Sequence, residues 1–540
     1  MVSVFQCFSV CPETSVACPE TSVACPETSV VCPDSRGSHE THEVSGQALN
    51  HFSTHISKHT LASANFKYYL CDMMKLDTAD TICALATPPG VSAIALIRVS
   101  GKDCFTLAGN IFKARKKGFS IGKAATHTLH YGSIVDADGL VDEVLLSVFK
   151  KPHSYTGEDS VEISCHGSAY IIQRILGLLL GAGCRLAQPG EFTLRAFLNG
   201  RLDLSQAEGV GDLITANSRA AHRLAMEQVR GGFGNKIRDL RQQLMQFASL
   251  IELELDFSGE DVEFADRSAL GRLLAGIREE VESLAQSFAE GNVLKTGIPV
   301  AITGPPNVGK STLLNAILNE EKAIVTDIPG TTRDAIEDTI VINGMAFRFI
   351  DTAGLRHTGD KIESLGIERT FEKMRQARII LYLFDISSTD CHEVLESLEE
   401  IRGQLGPEHA AGKHFILVAN KIDLLGEMPP HFRDLLDVEC LFVSAKRKEN
   451  IHMIAESLLS AISAEPGTGD VIVSNARHYH ALQGVTEALN SIDEGFAAGL
   501  STDLIAIDIR QALHHLGEIT GEITNDELLG NIFSNFCVGK

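Results

Sequence analysis

The sequence between residues 304 and 311 reads Gly304-Pro305-Pro306-Asn307-Val308-Gly309-Lys310-Ser311. It follows an apolar, strand-like segment, Ile298 to Ile302, and opens a helix-like one, Thr312 to Leu318. A glycine-containing loop between a strand and a helix lets successive backbone N–H groups surround phosphate oxygens at the positive end of the helix dipole. In such a loop Lys310 reaches the β- and γ-phosphates and the Ser311 hydroxyl can bind Mg²⁺. The stretch therefore predicts a nucleotide-binding α/β domain.

Three further segments indicate which nucleotide is bound. Asn420-Lys421-Ile422-Asp423 follows an apolar strand, and the Asp423 carboxylate can accept hydrogen bonds from N1–H and the 2-amino group of guanine, a donor pair that adenine lacks. Ser444-Ala445-Lys446 fits the loop behind the base, and Asp351-Thr352-Ala353-Gly354 fits the loop that detects the γ-phosphate. The set predicts GTP rather than ATP.

The residue that would activate water is not obvious from these motifs. Many GTPases place Gln directly after the Asp-x-x-Gly motif, but this chain has Leu355, whose aliphatic side chain cannot orient water. Glu363, in the stretch Asp360-Lys361-Ile362-Glu363, is a candidate for that role. From the residues alone, a solvated charge at the start of a helix explains Glu363 slightly better.

The loop from Thr326 to Asp334 offers hydroxyls and backbone carbonyls with little net charge. Thr332 can close on Mg²⁺ once a γ-phosphate is present. Asn307 adds an amide oxygen on the phosphate side of the P-loop. Oxygen ligands without carboxylates suit a monovalent cation, which could stabilise the charge that an arginine stabilises in other GTPases.

These motifs define the full set of expected GTP contacts. The predicted contacts are Asn307, Val308, Gly309, Lys310, Ser311, Thr312, Thr326, Asp327, Ile328, Pro329, Gly330, Thr331, Thr332, Asp351, Thr352, Ala353, Gly354, Asn420, Lys421, Asp423, Ser444, Ala445 and Lys446.

Length and composition limit the class of protein. A chain of 540 residues is too long for one hydrophobic core and predicts two to four domains. The formal charge of −23 argues against a free-standing RNA-backbone binder, so a basic partner is expected to hold most of any RNA. Thirteen cysteines, an odd number without CxxC pairs, indicate a reducing compartment. No apolar run is long enough to span a membrane.

Residues 1–72 contain a seven-residue tandem repeat that places cysteines at Cys11, Cys18, Cys25 and Cys32. The repeat has no wide apolar face, so we expect it to be disordered. It lacks the features of a signal peptide and is too poor in arginine for a mitochondrial presequence. Translation from Met73 or Met74 is the favoured explanation, and a tether or metal-binding tail is the alternative.

The remainder predicts an α/β P-loop GTPase domain inserted in an all-α helical domain and preceded by an α+β domain. We place the α+β domain at 77–192, the two helical parts at 193–292 and 466–540, and the GTPase domain at 293–465. Apolar residues at three- and four-residue spacing predict one long helix with a buried stripe. These residues are Ile237, Leu240, Leu244, Phe247, Ile251 and Leu255.

Motifs outside the GTPase domain identify a family. They are Thr87-Pro88-Pro89-Gly90, Ala95 to Gly101, Tyr155 to Asp159 with Glu162 and Cys165-His166-Gly167, Pro189 to Thr193, Arg195 to Leu204, and Phe536-Cys537-Val538-Gly539-Lys540. From about Asp80 to Lys540 the chain resembles the MnmE (TrmE) family of tRNA-modification GTPases.

The resemblance implies a potassium-dependent GTPase that is a homodimer through a folate-binding N-terminal domain. With an FAD-containing MnmG-type partner, as a heterotetramer, it would install an aminomethyl or carboxymethylaminomethyl group at C5 of the tRNA wobble uridine. The one-carbon donor would be 5-formyl- or methylene-tetrahydrofolate, and tRNA would bind mainly through the partner. The implied compartment is the bacterial cytoplasm, with the mitochondrion as the alternative.

The resemblance also assigns site residues by position. It implies K⁺ ligands at Asn307, Thr326, Ile328 and Thr331, Mg²⁺ ligands at Ser311 and Thr332, a water-positioning carboxylate at Glu363, folate contacts at Arg98, Glu162, Arg201 and Lys540, and a C-terminal cysteine considered for catalysis, Cys537. For Glu363, the resemblance favours the water-positioning role over the explanation as a solvated charge at the start of a helix. Without the resemblance, Arg98 and Glu162 would be ordinary edge charges and Cys537 a small core residue.

Three departures from the family pattern and two alternatives need testing. Arg201 replaces a common Lys, Ser168 replaces a common Gly, and Pro306 precedes Asn307 in the P-loop.

Adjacent strand residues point to opposite faces, so Cys165 and His166 are not expected to form a catalytic dyad. The alternative functions are a ribosome-assembly switch of the Era/EngA type and a folate enzyme that acts without a partner.

Overall fold

The computed structural model describes residues 80–256, 267–318, 324–325, 338–350, 371–410, 412–425, 440–462 and 471–539. The repeat-containing residues 1–72 lie outside this set. Two seven-stranded sheets form the frameworks of the described part, one before the helices and one between them. No helix in these ranges is long and apolar enough to cross a lipid bilayer.

The first sheet is mainly antiparallel and has the strand order β3-β4-β5-β6-β2-β1-β7. Its strands are β1 (Ile82–Leu85), β2 (Ser92–Ser100), β3 (Phe112–Ala114), β4 (Thr128–Asp136), β5 (Gly139–Phe149), β6 (Ser160–Gly167) and β7 (Arg185–Leu186). Helices α1 (Cys104–Ile111) and α2 (Ala169–Ala182) cover one face. Alternate strand residues such as Ile97, Leu146 and Ile163 are fully buried beneath them.

Among the described residues, part of the opposite face of this sheet is exposed. Leu129, Tyr131 and Leu145 lie on neighbouring strands β4 and β5, and all three are exposed. Ile94 and Val91, near the start of β2, are also exposed. An apolar patch of several large side chains is unusual on a monomer surface and indicates an interaction surface.

Six helices follow before the second sheet. They are α3 (Glu191–Leu198), α4 (Leu204–Thr215), α5 (Arg219–Val229), α6 (Gly232–Asp256), α7 (Arg267–Gln286) and α8 (Phe288–Thr296). The domain boundary predicted at 192/193 falls inside α3, and the one at 292/293 falls inside α8. Each predicted boundary therefore lies within a continuous helix. The apolar pattern of a sequence changes where the packing partners of a helix change, and this position need not coincide with the end of the helix.

The second sheet has the order β14-β13-β12-β8-β11-β10-β9. Its strands are β8 (Ile298–Thr303), β9 (Ile324–Val325), β10 (Asp338–Ile342), β11 (Met345–Ile350), β12 (Ile379–Asp385), β13 (His414–Asn420) and β14 (Cys440–Phe442). Helices α9 (Lys310–Leu318), α10 (Cys391–Leu405), α11 (Pro407–Ala410) and α12 (Ile451–Ser460) accompany it. Strands β11, β8, β12, β13 and β14 are parallel, so their carboxyl ends meet at one edge, where ligands bind in open α/β sheets.

Three helices end the chain: α13 (Ala476–Ala497), α14 (Thr502–Thr520) and α15 (Asp526–Phe533). Leu482 and Leu489 of α13 and Leu516 of α14 share one core with the predicted stripe of α6, from Ile237 to Ile251. Segments on both sides of the inserted domain therefore build a single helical domain, which confirms the predicted fold class.

A buried ion cluster fixes α4 to the two C-terminal helices. Arg477 donates from Nε to Glu208 Oε1 at 2.9 Å and from Nη2 to Oε2 at 2.8 Å, and His478 Nε2 lies 2.7 Å from the same Oε2. Burial alone would raise the pKa of Glu208, but His478 and Arg477 outweigh it and lower the pKa. Burial lowers the pKa of His478, so its neutral ring donates to the carboxylate.

Removing the charge of Glu208 should destabilise the helical domain. The Glu208→Gln change leaves the half-buried Arg477 without its carboxylate, and we expect a loss of about 3 kcal/mol in free energy of unfolding at pH 7. Because the folded-state pKa of Glu208 is lowered to about 2, its stabilisation is fully present above the ordinary value of 4.5 and is lost progressively as the pH falls from 4.5 to about 2, so pH 4 shows the onset of the loss. Urea unfolding followed by circular dichroism at pH 7 and pH 4 measures both effects.

The matched control is Glu396→Gln. Glu396 pairs with His392 on α10, where both side chains are exposed, so its loss should change stability by less than about 0.5 kcal/mol. Equal effects of the two substitutions at pH 7 would contradict a stabilising role for the Glu208 cluster.

Candidate functional site

The P-loop connects β8 to α9 at the carboxyl edge of the second sheet. Gly304 has φ of +141°, and a Cβ at this position would lie 2.0 Å from the carbonyl oxygen of Leu383. Gly309 has φ of +97°, and a Cβ there would lie 2.6 Å from Asn420 Nδ2. Both positions therefore require glycine for conformation and for space.

Lys310, the first residue of α9, turns back over the loop. Its Nζ donates to the carbonyl oxygens of Gly304 at 2.7 Å and Pro305 at 2.8 Å, and burial lowers its pKa. The N–H groups of the first turn of α9 have no partner within the helix, so they are available to an anion. A partly buried ammonium group and a helix N-terminus in one loop fit a nucleotide phosphate.

Asn420 joins three loops of the predicted site. Its side chain is 3 % exposed, donates from Nδ2 to the carbonyl oxygen of Val308 at 2.7 Å, and accepts from the N–H of Ala445 at 3.0 Å. The amide is thus satisfied by protein groups alone. Asn420 lies in the predicted site, and its contacts fix the phosphate loop and the base loop relative to each other.

Asp423 is held in place by the loop that begins at Ser444. Ser444 donates its hydroxyl to Asp423 Oδ1 at 2.7 Å, and the N–H of Arg447 donates to the Ser444 hydroxyl oxygen at 3.1 Å. The hydroxyl of Ser444 is the main cause that lowers the pKa of Asp423. The carboxylate is therefore ionised at neutral pH and can accept two donors from a base.

Lys421 carries a partner that the sequence analysis did not include. Its backbone has φ of +68°, and its Nζ lies 2.6 Å from Asp385 Oδ2 at the end of β12. Burial would raise the pKa of Asp385, but hydrogen bonds from Lys421 and Ser387 outweigh it and lower the pKa. The sequence does show Asp385 at the end of an apolar strand. Because the carboxyl ends of parallel strands meet at one edge of the sheet, this pattern could have indicated a residue close to the Asn-Lys motif.

The other predicted contacts are either described by the structure or lie outside the described residues. Among the described ones, Val308 is buried, and Ser311 and Thr312 lie in the first turn of α9. Asn307 has φ of +63°, and Lys446 is exposed. Thirteen predicted residues lie outside the described residues: Thr326, Asp327, Ile328, Pro329, Gly330, Thr331, Thr332, Asp351, Thr352, Ala353, Gly354, Glu363 and Lys540.

A second group of predicted residues meets on the first sheet. Arg98 on β2 and Glu162 on β6 are directly opposite, and Nε and Nη2 of Arg98 both lie 2.9 Å from Glu162 Oε1. The guanidinium carbon lies 5.2 Å from the ring centroid of Tyr155 and 5.6 Å from that of Phe192. Two aromatic rings and a carboxylate therefore hold Arg98 in one orientation.

The C-terminal segment reaches this pair. Arg98 Nη1 donates to the carbonyl oxygen of Gly539 at 3.4 Å, a contact between residues 441 positions apart. Val538 forms an antiparallel bridge with Pro189, and a Cβ on Gly539 would lie 2.2 Å from the carbonyl oxygen of Leu85. The end of the chain is thus seated on β1 and on the segment that enters α3.

Cys537 is exposed and has a free thiol. The expectation of a small core residue, drawn from the residues alone, was therefore wrong. Its carbonyl oxygen accepts from the N–H of Gly190 at 3.5 Å, so the backbone is seated while the side chain faces solvent. The apolar neighbour Phe536 indicated that Cys537 would also be buried. In an extended segment, however, adjacent side chains point to opposite faces, so a buried neighbour does not imply burial.

Arg201 is near the same loop that carries Tyr155. A Cβ on Gly157, whose φ is +79°, would lie 3.1 Å from Arg201 Cγ. The folding of this loop therefore brings Tyr155, Gly157 and Arg201 to one end of the first sheet. Ser168, the other departure, has φ of −89°, so its side chain causes no backbone strain.

Cys165 and His166 point to opposite faces, as predicted. Cys165 is buried and its Sγ donates to the carbonyl oxygen of Ala95 at 3.6 Å, while His166 is exposed. His166 Nδ1 lies 2.7 Å from Asp142 Oδ1. The thiol and the imidazole do not form a catalytic pair.

Arg195, within a quoted motif, belongs to a buried ion network. Its side chain is 1 % exposed and contacts Asp80 at 2.5 Å and Glu191 at 2.9 Å, and Arg185 contacts the same two acids. The network joins the start of the first sheet to α3. Its role is structural, since it positions the helix that carries Phe192 beneath Arg98.

Comparisons with known proteins identify two matching family models and similar solved structures. A family model described as MnmE helical domain matches residues 204–537, and one described as GTP-binding protein TrmE N-terminus matches residues 81–201. The G domain of the T. maritima FeoB iron transporter covers 30 % of this chain and 98 % of that chain, with 24 % identity and a TM-score of 0.23.

Two curated relatives are similar over nearly their whole length. The tRNA modification GTPase MnmE of Christiangramia forsetii is 53 % identical over 479 residues, which are 86 % of this chain and 100 % of that protein. The tRNA modification GTPase MnmE of Bacteroides fragilis is 51 % identical over 471 residues, with 85 % and 99 % covered. With its P-loop, its guanine-binding loops and its interrupted helical domain, this chain belongs to the MnmE family of tRNA modification GTPases.

Proposed function

We propose that this GTPase uses potassium-assisted hydrolysis of GTP to drive modification of C5 of the tRNA wobble uridine together with an FAD-containing MnmG-type partner. The observation that carries the proposal is the contact of the Gly539 carbonyl oxygen, in the C-terminal segment, with Arg98, whose guanidinium pairs with Glu162. It brings the segment that bears Cys537 to two of the expected folate residues. The product would carry an aminomethyl or carboxymethylaminomethyl group, with a tetrahydrofolate as one-carbon donor.

The arrangement around Arg98 supports a folate in chemical terms. A tetrahydrofolate has a flat ring with hydrogen-bond donors on one edge and a glutamate tail with carboxylates. The Glu162 carboxylate can accept from such an edge, and Tyr155 can contact the ring face. The cations Arg201 and Lys540 suit the tail carboxylates. A bound folate would supply the one-carbon unit, while these residues would bind and orient it.

The resemblance to the family implies the magnesium and potassium ligands, and the donor chemistry of these residues supports them. The Ser311 hydroxyl and Thr332 would hold Mg²⁺ against the phosphates. Asn307, whose backbone is in the left-handed region that asparagine tolerates, would give an amide oxygen to K⁺ along with Thr326, Ile328 and Thr331. The cation would supply positive charge where charge develops on the leaving phosphate.

The exposed apolar face of the first sheet supports a homodimer. Leu129, Tyr131 and Leu145 lie together on β4 and β5 and are exposed, as is Ile94 on β2, and a second copy of the same sheet would cover them. The residues Arg98 and Glu162 lie on β2 and β6, beside this face, so a dimer would place two folate sites near its interface. The compartment proposed for the assembly is the bacterial cytoplasm.

Replacing potassium with sodium should slow GTP hydrolysis. If Asn307 and the 326–331 loop bind K⁺, steady-state turnover of the purified full chain in KCl should exceed that in equal NaCl by at least about tenfold, because the ion replaces the charge that an arginine supplies elsewhere. Phosphate release measures the rates, and GTP affinity in both salts is the control. Equal turnover at equal affinity would contradict the cation site.

Removing the Glu363 carboxylate should abolish water activation. We expect Glu363→Ala to reduce turnover in KCl by roughly 10²–10⁴-fold, the usual contribution of a general base, with GTP affinity unchanged. Glu372→Ala, at an exposed acid of the following helix, is the matched control and should retain wild-type turnover. Retained turnover in Glu363→Ala would remove this residue from the mechanism.

Arg98 should be required for binding of the one-carbon donor. Arg98→Gln removes a charged hydrogen-bond donor and the partner of Glu162, and we expect calorimetry to show affinity for 5-formyltetrahydrofolate reduced by at least about tenfold. Arg115→Gln is the control, since Arg115 also lies over an aromatic ring, Tyr131, but away from Glu162. Unchanged affinity in Arg98→Gln would place the folate elsewhere.

A further inference from the structure

The turn between β10 and β11 is the part of the GTPase domain that contacts the helical domain near α5. Asn343 and Gly344 have φ of +50° and +82°, the conformation of a tight hairpin. Along the chain, β10 begins at Asp338, shortly after the loop that carries the predicted Thr332. The partner strand β11 ends at Ile350, directly before Asp351. The hairpin therefore connects the two segments predicted to respond to the γ-phosphate.

The tip of this hairpin completes the N-terminus of α5. Ser218 caps the helix by accepting from the N–H of Ala221 at 3.1 Å, and the N–H of Ala220 donates to the carbonyl oxygen of Gly344 at 3.2 Å. A Cβ on Gly344 would lie 2.8 Å from Arg219 Cβ. One free helix donor is thus satisfied across the two domains, in a contact with no room for a side chain.

A cavity of about 170 Å³ lies beside this contact. Its lining includes Arg219, Leu224, Asn343, Met345 and Val473, which come from α5, the hairpin and the segment before α13. Protein interiors are ordinarily packed without spaces of this size. Both the hairpin turn and α5 line this cavity, so a shift of the turn relative to α5 would change the shape of the cavity.

From α5 the contacts continue to α4. Gln228 Nε2 donates to the carbonyl oxygen of Ser205 at 2.8 Å, and Gln206 Nε2 donates to that of Val229 at 3.0 Å. A Cβ on Gly209 would lie 3.1 Å from Gln228 Cβ. Two side-chain hydrogen bonds and close backbone packing make these helices move together.

From α4 the contacts reach the C-terminal segment. A Cβ on Gly211 would lie 3.1 Å from the ring of Phe536, three residues before Gly539, whose carbonyl oxygen accepts from Arg98. Each step from the hairpin to Arg98 is a direct contact between described residues. Such continuity permits mechanical coupling between the hairpin and Arg98.

We propose that the Asn343–Gly344 turn is the positioning contact through which the nucleotide state is transmitted, by way of α5 and α4, to the C-terminal segment at Arg98. This inference rests on the proposed function for the role of that segment in one-carbon chemistry. The turn binds neither nucleotide nor folate, so its effect is on the coupling between the two sites.

The exposed Cys537 thiol reports the position of the C-terminal segment. We expect its alkylation rate by iodoacetamide, measured by mass spectrometry of the C-terminal peptide of the full chain, to differ by about fivefold between GDP and a non-hydrolysable GTP analogue, each with Mg²⁺ and K⁺. In Gly344→Ala the added Cβ separates the turn from Arg219, and the difference should fall to less than about twofold.

Two further variants keep this test decisive. Gly406→Ala is the matched control, because Gly406 in the same domain has φ of +80° but no atom within 4 Å of its Cβ position, and it should retain the nucleotide-dependent difference. Gly344→Asn adds the same Cβ with a residue that tolerates the left-handed region, and it should lose the difference with the hairpin preserved. GTP affinity should remain unchanged in all three.

The outcomes separate this inference from the proposed function. An equal Cys537 alkylation rate in the two nucleotide states of the wild-type chain, or a retained difference in Gly344→Asn, overturns the coupling. Loss of the difference in Gly406→Ala as well would assign the effect to backbone strain and also overturn it. Failure of the chain and its partner to modify tRNA would reject the proposed function but leave the alkylation result interpretable.

Discussion

The packing of α6 against α13 and α14 is the constraint on which the rest of the structure depends. These helices lie on opposite sides of the inserted GTPase domain in the chain, yet Ile237, Leu244, Leu482 and Leu516 belong to one core. Each buried aliphatic side chain contributes roughly 1.5–3 kcal/mol relative to exposure. The helical domain can therefore form only when both ends of the insertion return to the same place.

The local elements of this fold could be predicted from the sequence, since they depend on local chemistry. The apolar stripe of α6 has the period of a helix, and all its described members are buried. The P-loop and the Asn-Lys-x-Asp segment are recognisable because binding of a phosphate and of a guanine base requires particular residue types at fixed spacings. The glycines at 304 and 309 prove to be close-contact positions in the structure.

The long-range contacts could not be predicted in this way. The Arg98 contact with Gly539 uses a backbone carbonyl, and a carbonyl has no sequence signature. Resemblance to the family placed Arg98 and Lys540 in one site, but the seating of the tail on β1 and Pro189 comes from backbone pairing. The same reason explains why Cys537 was expected in the core: composition indicates burial, whereas the face of a residue depends on its partner strand.

The attachment of the GTPase domain explains how a domain insertion can still transmit motion. Its two connections to the helices lie side by side, because the N–H of Val473 donates to the Ser287 hydroxyl at 3.0 Å and Gly291 packs against the carbonyl oxygen of Val473. Two adjacent connections alone would form a hinge and leave the orientation of the domain undetermined. The hairpin at Gly344 provides a third contact, away from the hinge in sequence and directed at α5. These three contacts between described residues define an orientation, and the hairpin is the one attached to the segments predicted to respond to the γ-phosphate. A change at those segments would therefore alter the orientation without disrupting either connection.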